Sequence, residues 1–154
     1  MNKNLIIFIP SIESGGVEKN LYIVSNYLIK KNINIEILTC NYNKKKNFNK
    51  KIKIIGTKNR FWFNKNRKIK YLICLLYLFI YLLRSNSEKL VFAFQANIYA
   101  ILIAKLTLTK VITRSNSSPS GWSKNYLKKL FYKNIIKLAD DVMVNSYQFK
   151  KEFK

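Results

Sequence analysis

Two stretches of the chain are apolar at every position, Leu5–Ile9 and Leu90–Phe94. Continuous apolar runs of this length predict strands covered on both faces. Two others alternate. Ile33, Ile35 and Ile37 alternate with Asn34 and Glu36, and Ile52 and Ile54 alternate with Lys51 and Lys53, with Gly56 closing the second. Alternation predicts strands with one face less buried. Between these runs the period changes. Val17, Leu21, Val24 and Leu28 recur at i, i+4, i+7 and i+11, one face of a helix. Asn64–Arg84 reads as one long helix, basic at its start and apolar afterwards, and Asn97–Leu106 as a short buried helix. Ser123–Ala139 is a further helix. It carries Leu127, Phe131, Ile135 and Leu138 on one face, and Lys124, Lys128, Lys133 and Lys137 largely on the other. Val111–Thr113 and Asp141–Val144 are brief strands, and Tyr147 opens another helix.

Strands that mostly alternate with helices predict an α/β fold, a Rossmann-like doubly wound parallel sheet. The two fully apolar strands belong at its centre and the alternating pair to one side. The expected strand order is 3-2-1-4-5, with a sixth strand beyond. The order then reverses between strands one and four, and ligands of open α/β sheets bind beyond the strand ends at such a point. Four segments face that crevice: Pro10–Gly16, Gln95–Asn97, Arg114–Trp122 and Asn145–Ser146.

Composition sharpens this picture. The chain has 154 residues, one domain by length. Lys and Arg number 29 against 7 Asp and Glu, a formal net charge of +22. Such a balance attracts polyanions: nucleic acid, anionic lipid or phosphorylated substrates. A bland reading competes, because a chain rich in Asn, Lys, Ile and Tyr together also fits biased codon choice. Histidine is absent, which removes the commonest general base and metal ligand. Cys40 and Cys74 stand in unrelated contexts, with no zinc spacing or disulfide framework, and read as small core residues in a reducing cytosol. No metal is implied. Tyr71–Leu83 is the one membrane candidate, but its 13 residues fall short of the roughly 20 needed to span. A core helix is the favoured reading, and a helix lying in the membrane interface the lesser one.

The first glycines, Gly15 and Gly16, stand between strand and helix, where free N–H groups and the positive end of the helix dipole suit a phosphate. They also serve as an ordinary turn. The segment Arg114 to Trp122 joins a cation to hydroxyl and amide groups. Arg114 can fork onto phosphate or carboxylate. Asn116 and Ser117 can exchange hydrogen bonds with sugar hydroxyls, and Trp122 offers an apolar face to a sugar ring. The alternative is a plain Ser/Pro/Gly loop with Trp122 packed into the core.

Three motifs occur in order: Gly15-Gly16-Val17-Glu18-Lys19; Arg114-Ser115-Asn116 followed by Ser118-Pro119; and Ala139-Asp140-Asp141-Val142-Met143-Val144-Asn145-Ser146. Together they resemble the N-terminal domain of family 4 glycosyltransferases, most closely bacterial members that build O-antigen and capsule polysaccharides. The resemblance covers essentially the whole chain. It implies the N-terminal half of a GT-B fold, an enzyme that transfers a hexose-like sugar with retention from a nucleotide-sugar donor to a lipid-linked or glycan acceptor. By that resemblance, residues 1–154 form the acceptor-side domain. Gly15 and Gly16 would admit the donor diphosphate, while Gln95, Asn97, Arg114, Asn116, Ser117, Trp122, Asn145 and Ser146 would line the substrate cleft. The nucleotide-sugar is substrate, and no cofactor is implied. The family's glutamate pair and nucleotide pocket would lie beyond Lys154, in a C-terminal domain or partner chain, so no catalytic residue is assigned here and the chain alone is expected to be inactive. The histidine that many members carry in this cleft has no counterpart.

The resemblance also gives the charge a use. Lipid-linked acceptors sit in anionic membranes, so Lys124, Lys128, Lys133 and Lys137, with Phe61–Phe63 and the Lys65–Lys70 cluster, are candidates to hold the domain at the inner face of the cytoplasmic membrane. A cytoplasmic, peripheral location follows. Two other readings stand beside this one: a basic nucleic-acid-binding protein, for which no recognised motif speaks, and a truncated remnant without function.

Overall fold

The computed structural model describes residues 4–13, 15–57, 59–62, 64–85, 87–116, 123–147, 150 and 151. Phe63 and the stretch 117–122, which includes Ser117 and Trp122, lie outside them. The described strands are β1 (Asn4–Phe8), β2 (Asn34–Leu38), β3 (Lys53–Ile55), β4 (Lys89–Ala93), β5 (Lys110–Ser115) and β6 (Asp141–Val144). The helices are α1 (Gly16–Lys30), α2 (Arg67–Leu83), α3 (Asn97–Leu106) and α4 (Tyr126–Ile136). All strand pairings are parallel, in the order β3-β2-β1-β4-β5-β6. The fold is therefore the expected Rossmann-like α/β sheet, with its reversal between β1 and β4.

Alternate residues of each central strand point to opposite faces. Leu5, Ile7, Phe92 and Phe94 pack with Leu21 of α1 and with Phe48. Ile6, Phe8, Val91 and Ala93 pack on Cys74, Leu78 and Leu82 of α2, and on Ala100, Ile101 and Ala104 of α3. Both faces are covered, which is why Leu5–Ile9 and Leu90–Phe94 are apolar throughout. Gly56 ends β3 with φ at 145°, and a Cβ there would collide with the Thr39 carbonyl oxygen. This position requires glycine.

Four expectations need correction. β2 does not keep a less buried face: Glu36 is buried, because Tyr81 of α2 covers it and Lys53 and Lys89 pair with it at 3.0 and 3.2 Å. The cysteines are not unrelated. Cys40 leaves β2 where Cys74 of α2 crosses, and their sulfurs lie 3.2 Å apart, both buried. The apolar face expected on α4 is turned outward. Leu127 and Phe131 are exposed, and the helix buries Ile136 instead. Finally, α2 is only half a core helix. Lys70, Cys74, Leu78 and Leu82 face inward, while Leu72, Leu76, Ile80 and Leu83 face solvent.

Candidate functional site

The parallel sheet brings the ends of β1, β4 and β5 to one edge, and a cleft of about 370 Å³ opens there. That volume is typical of a small-molecule site. Its walls come from Val17 of α1, Arg67 and Tyr71 of α2, Phe94 to Ile98 after β4, Ser115 and Asn116 at the end of β5, and Tyr132 and Ile136 of α4.

Helix ends distinguish this edge. α2 and α4 are capped by side chains: Asn66 accepts from the Ile69 N–H, and Asn125 from the Lys128 N–H. α1 and α3 follow the two central strands and have no side-chain cap. Both start at the cleft, through Val17 and through Ala96–Ile98. Their first-turn N–H groups and dipoles point at that edge; Glu18 offsets the positive end of α1, while the first turn of α3 carries no acidic residue. Ala96 holds a left-handed conformation, φ 52°, at the start of α3. An alanine is strained there, and such strain gathers at functional sites.

Neither the backbone at Gly15 nor the space at Gly16 demands glycine. Gly15 is extended, a conformation open to any residue, and a Cβ on Gly16 would meet nothing within 4 Å. The space beside the start of α1 is thus open. Glu18 occupies part of this edge. It is buried, its Oε2 would lie 2.9 Å from a Cβ on Gly15, and its Oε1 accepts from Gln95 Nε2 at 3.3 Å. Gln95 Oε1 accepts from the Ser11 N–H at 3.3 Å, so Gln95 ties the β1 and β4 exits together. Asn97 Nδ2 donates to the Arg114 carbonyl at 2.8 Å, and Asn116 Nδ2 to the Phe94 carbonyl at 3.1 Å. Asn97 Oδ1 is buried without a partner among the described residues.

Arg114 lies below the cleft wall, not in it. It is buried, donates from Nη2 to Asn145 Oδ1 at 2.9 Å, and stands 5.5 Å from the Phe94 ring centre. Its Nη1 has no hydrogen-bond partner among the described residues. Burial pushes its pKa down from the ordinary value, yet a guanidinium stays charged. Asn145 thus joins β6 to the site through Arg114, with exposed Ser146 beside it. Lys124, Lys128, Lys133 and Lys137 are exposed on or next to α4. No group of three His, Cys, Asp or Glu that could hold a metal exists among the described residues.

No protein-family model and no curated protein matches the chain. A solved structure does: Anabaena HepE in complex with UDP, with TM-score 0.59 and 14% identity. The match covers 98% of this chain and 40% of HepE, so this chain spans well under half of that neighbour's length. The likeness carries the fold.

Sequence reasoning missed Arg67, Tyr71 and Tyr132 as cleft residues. Arg67 Nε donates to Tyr71 Oη at 2.9 Å, one turn apart on α2. That spacing is visible in the sequence, but nothing local shows that α2 begins beside the β4 exit, about thirty residues later. The described walls hold no thiol and no carboxylate pair. They offer amides, helix N-termini and an arginine, the equipment of a site that binds and orients an anionic, hydroxyl-rich ligand.

Proposed function

We propose that this chain is the acceptor-side half of a GT-B glycosyltransferase, whose donor is a nucleotide-activated sugar and whose acceptor is a lipid-linked or glycan chain in surface polysaccharide synthesis. The observation that carries the reading is the pair of uncapped helix N-termini meeting at the sheet's reversal, beside a glycine with open space around it. UDP in the HepE complex supports a nucleotide donor. In this reading Gly15 and Gly16 admit the diphosphate to the start of α1. Asn97 turns its amide oxygen to a hydroxyl group, Asn116 stands in the cleft wall beside it, and Arg114 holds Asn145 at the mouth of β6. Arg67, with Tyr71 fixing its orientation, meets a negative group of the acceptor. Glutamates that assist transfer belong to a further domain.

UDP titration of the chain tests this. Weak but saturable binding is expected, and Gly16→Leu should lower affinity by about tenfold, since its side chain fills the approach to the helix start. Melting should not change, because the position has room. Equal UDP affinity in the variant, or no binding by the parent chain, would contradict the proposal.

A further inference from the structure

α2, α3 and α4 form one layer over the sheet, with α3 packed between the other two. On α2 the outward face is apolar from end to end. Leu72, Leu76, Ile80 and Leu83 are 62%, 56%, 47% and 60% exposed. At 1.5 Å per residue the stripe runs for about 17 Å from Leu72 to Leu83, on a helix of 17 residues. Apolar faces this continuous mark an interaction surface. Charge identifies the partner. None of the three helices contains an acidic residue within its span. Arg67, Lys68 and Arg84 stand exposed at the two ends of the α2 stripe, and Lys128 and Lys133 are exposed on α4. At the start of α2, Phe61 is exposed with the Lys65 ammonium 3.8 Å from its ring centre, an aromatic and cationic pair suited to a lipid headgroup region. A second copy of the chain would bring two highly cationic surfaces together, which repels.

We propose that the outward face of α2 docks on an anionic lipid bilayer, lying in the interface with Leu72, Leu76, Ile80 and Leu83 below the headgroups and the flanking cations among them. No helix among the described residues is long and apolar enough to cross a membrane, so α2 lies on the bilayer. Because Arg67 and Tyr71 belong to the first turns of the same helix and line the cleft, docking sets the mouth of the cleft beside the headgroups. The inference rests on the exposed face and its charges, and stands whether or not the cleft takes a nucleotide.

Co-sedimentation of the full chain with vesicles tests it, without nucleotide present. The chain should bind vesicles of equal parts phosphatidylglycerol and phosphatidylcholine and ignore pure phosphatidylcholine. The triple variant Leu72→Gln, Leu76→Gln, Ile80→Gln keeps the charge and, in exposed positions, the helix. It should partition at least about tenfold more weakly, with unchanged circular dichroism. The matched change on the opposite layer, Ile23→Gln with Tyr27→Gln at 58% and 57% exposure, should bind within about twofold of the parent. Should the triple variant misfold, single Leu72→Gln and Leu76→Gln variants report the same loss in part. Parent-like binding by the folded triple or single variants overturns the proposal. So does a parent chain that ignores the anionic vesicles, whether it instead forms a dimer broken by the triple variant or binds a single-stranded oligonucleotide.

Discussion

The two edges of the sheet treat their polar groups in opposite ways. Towards the amino ends of the strands, charges close on one another. Glu36 joins Lys53, Lys89 and Tyr81, and Asp140 Oδ2 accepts from Lys105 at 2.9 Å and from the Val111 N–H at 2.7 Å. All ion pairs among the described residues lie there. Towards the carboxyl ends, groups are left open. The buried side-chain atoms lacking a hydrogen-bond partner among the described residues are Thr57 Oγ1, Asn97 Oδ1, Thr113 Oγ1 and Arg114 Nη1. Each lies in the carboxyl half of a strand or just past its end. Burying a polar group without a partner costs about 1–3 kcal/mol. The proposed binding site rests on the open edge, where buried polar groups lack a partner among the described residues.

Breaking the closed edge should have the largest effect. Glu36→Gln removes the charge that faces Lys89, whose side chain is only 7% exposed. Leaving a buried ammonium unpaired is expected to cost about 3 kcal/mol in urea unfolding. Asn116→Ala at the open edge should cost less than about 1 kcal/mol, since it removes one amide–carbonyl bond. A similar loss for both would erase the contrast between the edges.

Acid sharpens the same comparison with a smaller effect. Burial alone raises the Glu36 pKa, but the bonds from Tyr81 and Lys53 and the charge and bond of Lys89 outweigh it and hold the carboxyl below 4.5. The folded state therefore favours the ionised form. Its contribution to stability is full above pH 4.5 and fades as pH falls through the lower folded value. The melting difference between parent and Glu36→Gln should be constant near neutrality and shrink as the pH falls below 4.5. A difference that grows in acid would refute the assignment of Glu36 as the anchor.

Strand order was legible because burial leaves a plain mark: the runs Leu5–Ile9 and Leu90–Phe94 are apolar at every position, whereas Glu36 and Lys53 interrupt β2 and β3. Glu36 broke that logic. A lone carboxylate in an alternating strand looks solvent-facing; only the crossing of α2 above β2 brings Tyr81 to it, and only the sheet order brings Lys89 of β4 to it across β1. The contact of Cys40 with Cys74 was hidden for the same reason. α4 misled in a different way. Its Leu127, Phe131 and Leu138 obey helical spacing, yet spacing reports an apolar face without saying what covers it. At the cleft, Gln95, Asn97 and Asn116 were found from their positions at strand ends, which topology alone fixes. Arg67 and Tyr71 could not be, since their place depends on where a long helix starts in space.

The most direct test of the account is a map of backbone amide shifts on adding UDP to the nitrogen-15-labelled chain. The amides of Gly16, Val17, Asn97 and Asn116 should move together and saturate, while those of Glu36, Lys89 and Asp140 stay still. Shifts centred on the closed edge, or none at any concentration, would contradict it.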